Sequence, residues 1–272
     1  MQHREFEPPE ELRDSIKGFW YGKPDFAERP SSIEVMPDGY AEIIFHFGNG
    51  CSIDHHGKLQ PLPSPFMVGL LDRPALFHME DRFEIIGVHC FPWTVFDLLG
   101  LPSGKDRVSV FEHPIAQLQP ALEQCIRAER VEEAVHLIEQ YFMNARSRVA
   151  TDSMLFKAGV AMREANGTRP VSHIAEAAHA TVRTLERKFK RSSGRTVKDV
   201  SGLMRFEQVR NHLWAHPHSS LAGLAHELGY ADQPHLSREF KRYSGTTPAA
   251  FAREAKKRRL ALGNDLVAFV QA

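Results

Sequence analysis

The sequence has no long apolar run and few cysteines. No stretch approaches the roughly 18 to 20 consecutive apolar residues that a membrane-spanning helix requires, and the opening segment MQHREFEPPEELRD is polar and acidic, unlike a secretory leader. Cys51, Cys90 and Cys125 are too few and too scattered for a disulfide framework, so reduced thiols are expected. We therefore expect a cytoplasmic protein with no membrane partner.

The chain also lacks net charge, which at first argues against a nucleic-acid partner. It has 34 Lys and Arg and 34 Asp and Glu among its 272 residues. The balance is uneven along the chain: residues 1–165 carry 16 basic and 25 acidic side chains, whereas residues 166–260 carry 18 and 8. Only the C-terminal part therefore has the excess of positive charge that binding to phosphates needs.

The length is sufficient for two domains, each with its own core. We place an N-terminal domain at residues 1–150 and a C-terminal domain at residues 151–272. The boundary lies between Asn144 and Gly167, where the segment ANGTRP interrupts a helical pattern.

Two short helices are predicted between Ser220 and Phe251. Apolar residues at helical spacing lead to Gly229, which closes the first helix, and Asp232 is placed to cap the second. The second helix keeps Leu236 and Phe240 on its core face and is basic on the other face. This pattern is typical of a helix-turn-helix unit, although a plain helical hairpin would have the same spacing.

The same plan occurs once more upstream, in the segment VSHIAEAAHATVRTLERKFKRSSGRTV that ends at Val197. Between the two copies, Lys198 to Trp214 has apolar residues at three- and four-residue steps and no proline. This stretch predicts a rigid linker helix, weakened only by Gly202.

Residues 166–255 resemble the DNA-binding domain of AraC/XylS-type bacterial transcription regulators, and LAHELGYADQPHLSREFKRYSGTTPAAF matches that family's signature. The resemblance implies two helix-turn-helix units held by the linker helix, with two recognition helices in successive major grooves. His179 departs from the family, which usually has a turn glycine there. Histidine tolerates a left-handed backbone better than most residues, so we expect the turn to be kept.

The resemblance also assigns roles residue by residue, and a solvated surface charge is the alternative for each basic side chain. Arginine suits guanine O6 and N7, glutamine suits adenine, and proline offers only apolar contact. Base contacts are expected from Arg183, Glu186, Arg187, Gln233, Pro234, His235 and Arg238. Phosphate contacts are expected from Thr181, Lys190, Arg191, Thr196, Lys241, Arg242 and Thr247.

The N-terminal part predicts a small β-barrel or sandwich. Pro37-Asp38-Gly39 marks a turn, residues 41–47 alternate as a strand does, and short strand-like segments follow at 65–71, 75–79 and 83–90. The segments MPDGYAEIIFHFG and IIGVHCFPWTVFDLLGLP resemble an uncharacterised subfamily of the cupin-like sensor domains that precede AraC-type DNA-binding domains. The expected fold class is therefore α+β: a β-rich cupin-like barrel with following helices, and then an all-α domain.

After residue 92 the apolar spacing becomes helical, as in PIAQLQPALEQCIRA and RVEEAVHLIEQYFMNAR. In the regulators that the chain resembles, such helices often dimerise. They could equally cap the barrel and link it to the DNA-binding half.

We expect a sequence-specific transcription regulator that is not an enzyme and needs no cofactor, with a small effector bound to the N-terminal domain. Double-stranded DNA is the principal expected partner, and RNA polymerase and a second copy of the chain are further candidates. The alternative is a metal-binding cupin-type enzyme or barrel tethered to DNA. The side chains that could bind such a metal are Cys51, Cys90, His46, His55, His56, His78 and His89. The sequence has no HxH motif with a Glu a few residues later, which cupin enzymes use.

Overall fold

The computed structural model describes residues 2–24, 31–55, 57–80, 82–101, 107–147 and 154–262, with backbone alone for Ser31 and residues 258–262. In the N-terminal half, strands form two antiparallel sheets, one in the order β1-β2-β9-β4-β7-β10 and one in the order β3-β8-β5-β6. The strands are β1 (Gln2–Phe6), β2 (Ile16–Lys23), β3 (Ser31–Val35), β4 (Ala41–Gly48), β5 (Cys51–His55), β6 (Lys58–Leu62), β7 (Phe66–Val68), β8 (Ala75–Met79), β9 (Phe83–Cys90) and β10 (Val108–Val110).

Strand β4 shows why the alternation in the sequence produces this layering. Successive side chains of a strand point to opposite faces. Ile43 and Phe45 are fully buried on one face of the larger sheet, whereas Ile44 belongs to the cluster between the two sheets. The predicted turn and strand are confirmed, and the predicted segments at 65–71, 75–79 and 83–90 contain β7, β8 and β9.

The α-helices follow β9. They are α1 (Pro92–Leu99), α2 (Gln119–Arg127), α3 (Val131–Arg146), α4 (Met154–Glu164), α5 (Val171–Ala177), α6 (Val182–Ser193), α7 (Val197–Ala215), α8 (Leu221–Glu227), α9 (Gln233–Ser244) and α10 (Pro248–Leu262). Strand β10 lies between α1 and α2, and short 3-10 turns occur at Glu10–Leu12 and Pro114–Leu118. None of the helices in the described ranges is long and apolar enough to cross a membrane.

Helices α2 and α3 cover the outer face of the larger sheet. Leu122, Ile138 and Phe142 share one buried cluster with Phe45 and Ile86 of the sheet. This packing is the capping arrangement considered for these helices, and their use in dimerisation stays a prediction.

The cores of the two halves are continuous. Leu70, Phe91 and Trp93 of the N-terminal half belong to the same buried cluster as Phe189 and Phe206 of the helical half. Helix α4 ends at Glu164, and Asn166 (φ 46°) and Gly167 (φ 72°) have left-handed backbones, so the predicted break at ANGTRP is confirmed. The domain limits 1–150 and 151–272 stay a prediction.

Candidate nucleic-acid interface

The first helix-turn-helix unit consists of α5 and α6. His179 has a φ of 50° in the turn between them, so the expected left-handed histidine is confirmed. The turn is closed by the Ala180 amide, which donates to the Ala175 carbonyl at 2.9 Å. Thr181 then caps α6, because its hydroxyl accepts a hydrogen bond from the Thr184 amide at 3.2 Å.

The second unit, α8 and α9, repeats this geometry with glycine in the turn. Gly229 has a φ of 69°, a conformation that glycine adopts without steric cost. The Asp232 carboxylate accepts from the His235 amide at 2.6 Å and caps α9, as predicted. Leu236 and Phe240 are buried, which leaves the opposite face of α9 to solvent.

Five of the seven candidate base contacts are exposed side chains at or near the start of these two helices. They are Arg183 and Arg187 on α6, and Gln233, Pro234 and Arg238 on α9. In helix-turn-helix proteins the N-terminal residues of the recognition helix contact base edges. The exposed position of these five side chains is consistent with that role.

Glu186 and His235 differ from these five because each is half-buried and already bonded within the protein. Glu186 Oε2 accepts from the Val197 amide at 3.2 Å, which ties α6 to the start of α7. His235 Nδ1 accepts from the Ala231 amide at 3.4 Å, and its ring lies edge-on to Tyr230. A base contact would therefore use the other carboxylate oxygen of Glu186 or Nε2 of His235.

The three candidate threonines each begin a helix. Like Thr181 on α6, Thr247 on α10 accepts an amide hydrogen bond, from Ala250 at 3.2 Å. Thr196 forms a capping box on α7: its hydroxyl accepts from the Asp199 amide at 3.1 Å, and Asp199 Oδ2 accepts from the Thr196 amide at 3.2 Å and from the Thr196 hydroxyl at 2.6 Å. Although burial opposes the change, these hydrogen bonds lower the pKa of Asp199.

The four candidate cations lie in the last turns of α6 and α9. Lys190 and Lys241 are exposed. Arg242 lies 3.6 Å from Asp199 Oδ1, and the Arg191 guanidinium lies 5.7 Å from the centre of the Phe96 ring in α1. Both arginines therefore have partners within the protein when DNA is absent.

Comparison with protein families matches residues 174–254 to a helix-turn-helix domain of AraC type. This is an AraC-type DNA-binding domain. The chain is accordingly a DNA-binding transcription regulator. Residues 4–107 match a second family, described as a domain of unknown function (DUF6597). Comparison with curated proteins finds no match.

Several solved structures are similar to this chain over part of its length. ToxT from Vibrio cholerae, bound to an unsaturated fatty acid, is 10% identical, with 86% of this chain and 94% of ToxT covered and a TM-score of 0.48. An AraC-type regulator from Chromobacterium violaceum is 21% identical over 38% of this chain and 91% of its own, with a TM-score of 0.35. The DNA-binding domain of AdpA, in complex with a target DNA, is 23% identical. The match covers 40% of this chain and 97% of the AdpA domain, with a TM-score of 0.37.

A buried ion pair in the AraC-type domain braces the linker helix against the second recognition helix. Arg205 of α7 donates to Glu239 of α9 at 3.1 Å and to the Gly167 carbonyl at 2.8 Å, and both charged side chains are only 14% exposed. Sequence reasoning missed this pair, because nothing local distinguishes it from surface charges. Gly202, whose weakening of α7 stays a prediction, permits close approach, since a Cβ there would lie 2.9 Å from the Tyr243 hydroxyl.

The linker helix is also held by the N-terminal half. Lys17 Nζ lies 3.5 Å from Glu207 Oε1 of α7, and Arg210 of α7 donates to the Pro37 carbonyl at 3.0 Å. The neighbouring Asp38 is half-buried, and desolvation together with the carboxylates of Glu207 and Glu42 raises its pKa to about 6. The turn at residues 37–39 is thus a contact point for the DNA-binding half.

A small apolar cavity of about 40 Å³ lies between the two sheets. Its only charged lining residue among those described is Glu42, which accepts from Trp20 Nε1 at 3.1 Å and pairs with His89. Burial disfavours the charged form of His89, but the Glu42 carboxylate raises its pKa overall. The cavity is lined by Trp20, Ile33, Val35, Glu42, Ile44, Cys51, Phe66, Val68, Phe77, Met79, Phe83 and Ile85.

The candidate metal ligands have other partners or do not converge. His46 Nε2 lies 3.1 Å from the Leu62 carbonyl, and burial raises the pKa of the Cys51 thiol to about 12. His89 pairs with Glu42, and His56 lies outside the described residues. Within the described part of the chain, no group of three or more His, Cys, Asp or Glu is arranged to hold a metal ion.

Proposed function

We propose that this chain is a sequence-specific regulator whose helices α6 and α9 enter successive major grooves on one face of a DNA duplex. The observation that carries the proposal is the pair of capped helices, each with an exposed polar and basic face, held on the single helix α7. Rigid spacing of two recognition elements allows both to bind without a further ordering cost. Selection of bound duplexes from a random pool tests the proposal, and the absence of any enriched sequence would contradict it.

Sequence would be read by the exposed side chains of the two helices. Arg183, Arg187 and Arg238 have the forked geometry that matches guanine O6 and N7, and Gln233 matches adenine. Pro234 would make an apolar contact, for which a thymine methyl group is suitable. Glu186 would contact a base through Oε1 and His235 through Nε2, because Glu186 Oε2 and His235 Nδ1 already accept hydrogen bonds within the protein.

Affinity would come mainly from contacts to phosphates. Exposed Lys190 and Lys241 lie near the C-terminal ends of the recognition helices, and the capped starts of α6, α7 and α10 present backbone amides. Because each cation that neutralises a phosphate releases bound counterions, affinity should fall steeply with salt.

Lys241→Ala is expected to weaken binding to all sequences alike and to reduce the slope of log K against log salt by about 1. Fluorescence anisotropy with the selected duplex and a scrambled duplex, at several salt concentrations, measures both effects. Lys58→Ala, which removes an exposed lysine from the β5–β6 hairpin, is the matched control. An unchanged salt slope would contradict a phosphate contact by Lys241.

The effector would be a small uncharged apolar molecule in the cavity between the sheets. The lining is almost entirely apolar, and Glu42, its charged group, is already paired with Trp20 and His89. A volume of about 40 Å³ holds only a few atoms, so a larger effector would have to separate the sheets. A ligand that binds only the folded chain raises its Tm with concentration, and thermal-shift screening of the full chain measures this rise.

RNA polymerase and a second copy of the chain are further proposed partners. The alternative of a metal-dependent barrel predicts near-stoichiometric iron or zinc in the purified chain. Elemental analysis distinguishes the two proposals, since an effector-controlled regulator needs no metal.

A further inference from the structure

Val182, the first residue of α6, is an apolar side chain on a helix face whose other candidate contacts are charged. It is 42% exposed, and among the described residues the other large apolar side chains that are exposed, Leu59 and Val110, lie in the N-terminal half. The core face of α6 is formed by Leu185 and Phe189, both fully buried. Burial within the chain therefore does not explain a valine at this position.

The local structure of the helix does not explain Val182 either. Valine is β-branched, which lowers its helix propensity, and helix starts favour proline or acidic residues. The cap of α6 is the hydroxyl of Thr181. Because a β-branched side chain in a helix has one strongly preferred rotamer, it loses little conformational entropy when it contacts a partner. Val182 is thus suited to bind an apolar group of another molecule.

The internal repeat indicates which part of the DNA Val182 would meet. Thr181 and Asp232 each accept a hydrogen bond from the amide three residues later, so the two caps are equivalent. The residue after each cap is the first of its helix, which makes Val182 of α6 the equivalent of Gln233 of α9.

The exposure of the two recognition helices supports this equivalence. From each cap onward, seven residues follow the same order: three are exposed, one is half-buried, one is buried, one is half-buried and one is exposed. The buried residue is Leu185 in α6 and Leu236 in α9, and the last of the seven is Arg187 or Arg238. If Gln233 reaches a base edge in its groove, Val182 therefore reaches the equivalent base edge in the other groove.

The chemistry of valine limits the base that it can favour. Valine has no hydrogen-bond donor or acceptor in its side chain, so it leaves a polar group of a base edge unpaired, which costs free energy. In the major groove, the C5-methyl group of thymine is the apolar group that base edges present. Thymine is therefore the base that gains from contact with Val182.

We propose that Val182 selects a thymine by packing against its C5-methyl group in the groove bound by α6. The inference rests on the proposed entry of α6 and α9 into successive major grooves. Each unit then has one apolar and one hydrogen-bonding side chain at its first two helical positions, in opposite order. These are Val182 and Arg183 in α6, and Gln233 and Pro234 in α9.

Deoxyuridine in place of thymine tests the contact, because it removes the C5-methyl group and keeps the hydrogen-bonding groups of the base. Each thymine of the duplex selected by the wild type is replaced in turn, and fluorescence anisotropy gives the dissociation constants. One replacement in the half bound by α6 is expected to weaken wild-type binding about 4-fold, the scale of one buried methyl group. Val182→Ala should weaken binding to the thymine duplex by a similar factor, and should bind the thymine and uracil duplexes nearly equally.

Val110→Ala is the matched control, because it is the same truncation at an exposed valine on β10, outside both helix-turn-helix units. Val110 is 55% exposed. This variant should have the affinity and the uracil sensitivity of the wild type. Thermal unfolding should give the same Tm for the wild type and Val182→Ala, because truncation of an exposed side chain changes stability little.

Val182→Gln tests the equivalence of the two units directly. It gives the first unit the side chain that the second unit has at the same position. Selection from a random pool with this variant is expected to replace the thymine preference by an adenine preference, since glutamine pairs with adenine N6 and N7. A purely structural role of Val182 would not change the preferred base at one position.

The outcomes separate this inference from the proposal on which it rests. The thymine contact is overturned if no uracil replacement weakens wild-type binding, if Val182→Ala keeps the uracil sensitivity of the wild type, or if Val182→Gln selects the wild-type base. In each of these cases the wild type still selects a sequence. A wild type that enriches no sequence would instead contradict two-groove recognition, and the thymine contact with it.

Discussion

Replacing Trp93 by alanine is expected to lower the free energy of unfolding by about 3 to 5 kcal/mol, the usual cost of truncating a fully buried tryptophan. Trp93 is 2% exposed and packs between Phe91, Gly159 and Phe189, so the N-terminal and helical halves both lose core contacts. Urea unfolding of the full chain, followed by circular dichroism, measures the loss.

Trp214→Ala is the control for this prediction. Trp214 lies at the end of α7 and is only half-buried, so the same truncation there should cost clearly less. Equal losses in the two variants, or a loss below about 1 kcal/mol for Trp93→Ala, would show that Trp93 does not join the two halves.

Arg205→Met is expected to destabilise the chain by about 3 kcal/mol, because it leaves the Glu239 carboxylate nearly buried and without its charge partner. The substitution preserves apolar length but removes the donors to Glu239 and to the Gly167 carbonyl. Adding Glu239→Gln should recover part of the loss, since no buried charge then remains. Urea unfolding of both single variants and the double variant gives the coupling energy.

The exposed pair Arg127–Glu123 provides the comparison for this cycle. Both side chains lie on the surface of α2, so Arg127→Met should change stability by less than about 0.5 kcal/mol. No recovery in the Arg205→Met/Glu239→Gln variant would contradict the proposed brace. Loss of the Arg205–Glu239 ion pair should also weaken DNA binding, because this ion pair fixes the position of α9 on α7.

Local features of the fold could be predicted because each depends on neighbouring residues. The left-handed backbone at His179 follows from its place in a repeated pattern, and the Thr181 and Asp232 caps follow from residue type just before a helical period. The alternation of β4 follows from the two-residue period of a strand. The exposed positions of Arg187 and Arg238 follow from their spacing relative to buried residues on the same helix.

Features that join distant parts of the chain could not be predicted in this way. Arg205 and Glu239 have the sequence context of ordinary surface charges, and only the crossing of α7 and α9 buries them. Trp93 fits a helical pattern, but that pattern does not reveal its partner Phe189. Arg195 went unnoticed for the same reason, because its partners, the Leu70 carbonyl and the Asp72 carboxylate, lie on the turn between β7 and β8.

The most direct test of two-groove recognition is to compare the duplexes that the wild type, Arg187→Ala and Arg238→Ala select from one random pool. The account predicts that each variant loses base preference at its own group of positions, with the groups about one helical turn, or roughly 10 base pairs, apart. Each loss should correspond to about 1 to 3 kcal/mol at the affected base. Wild-type preferences in both variants, or loss at the same positions in both, would contradict it.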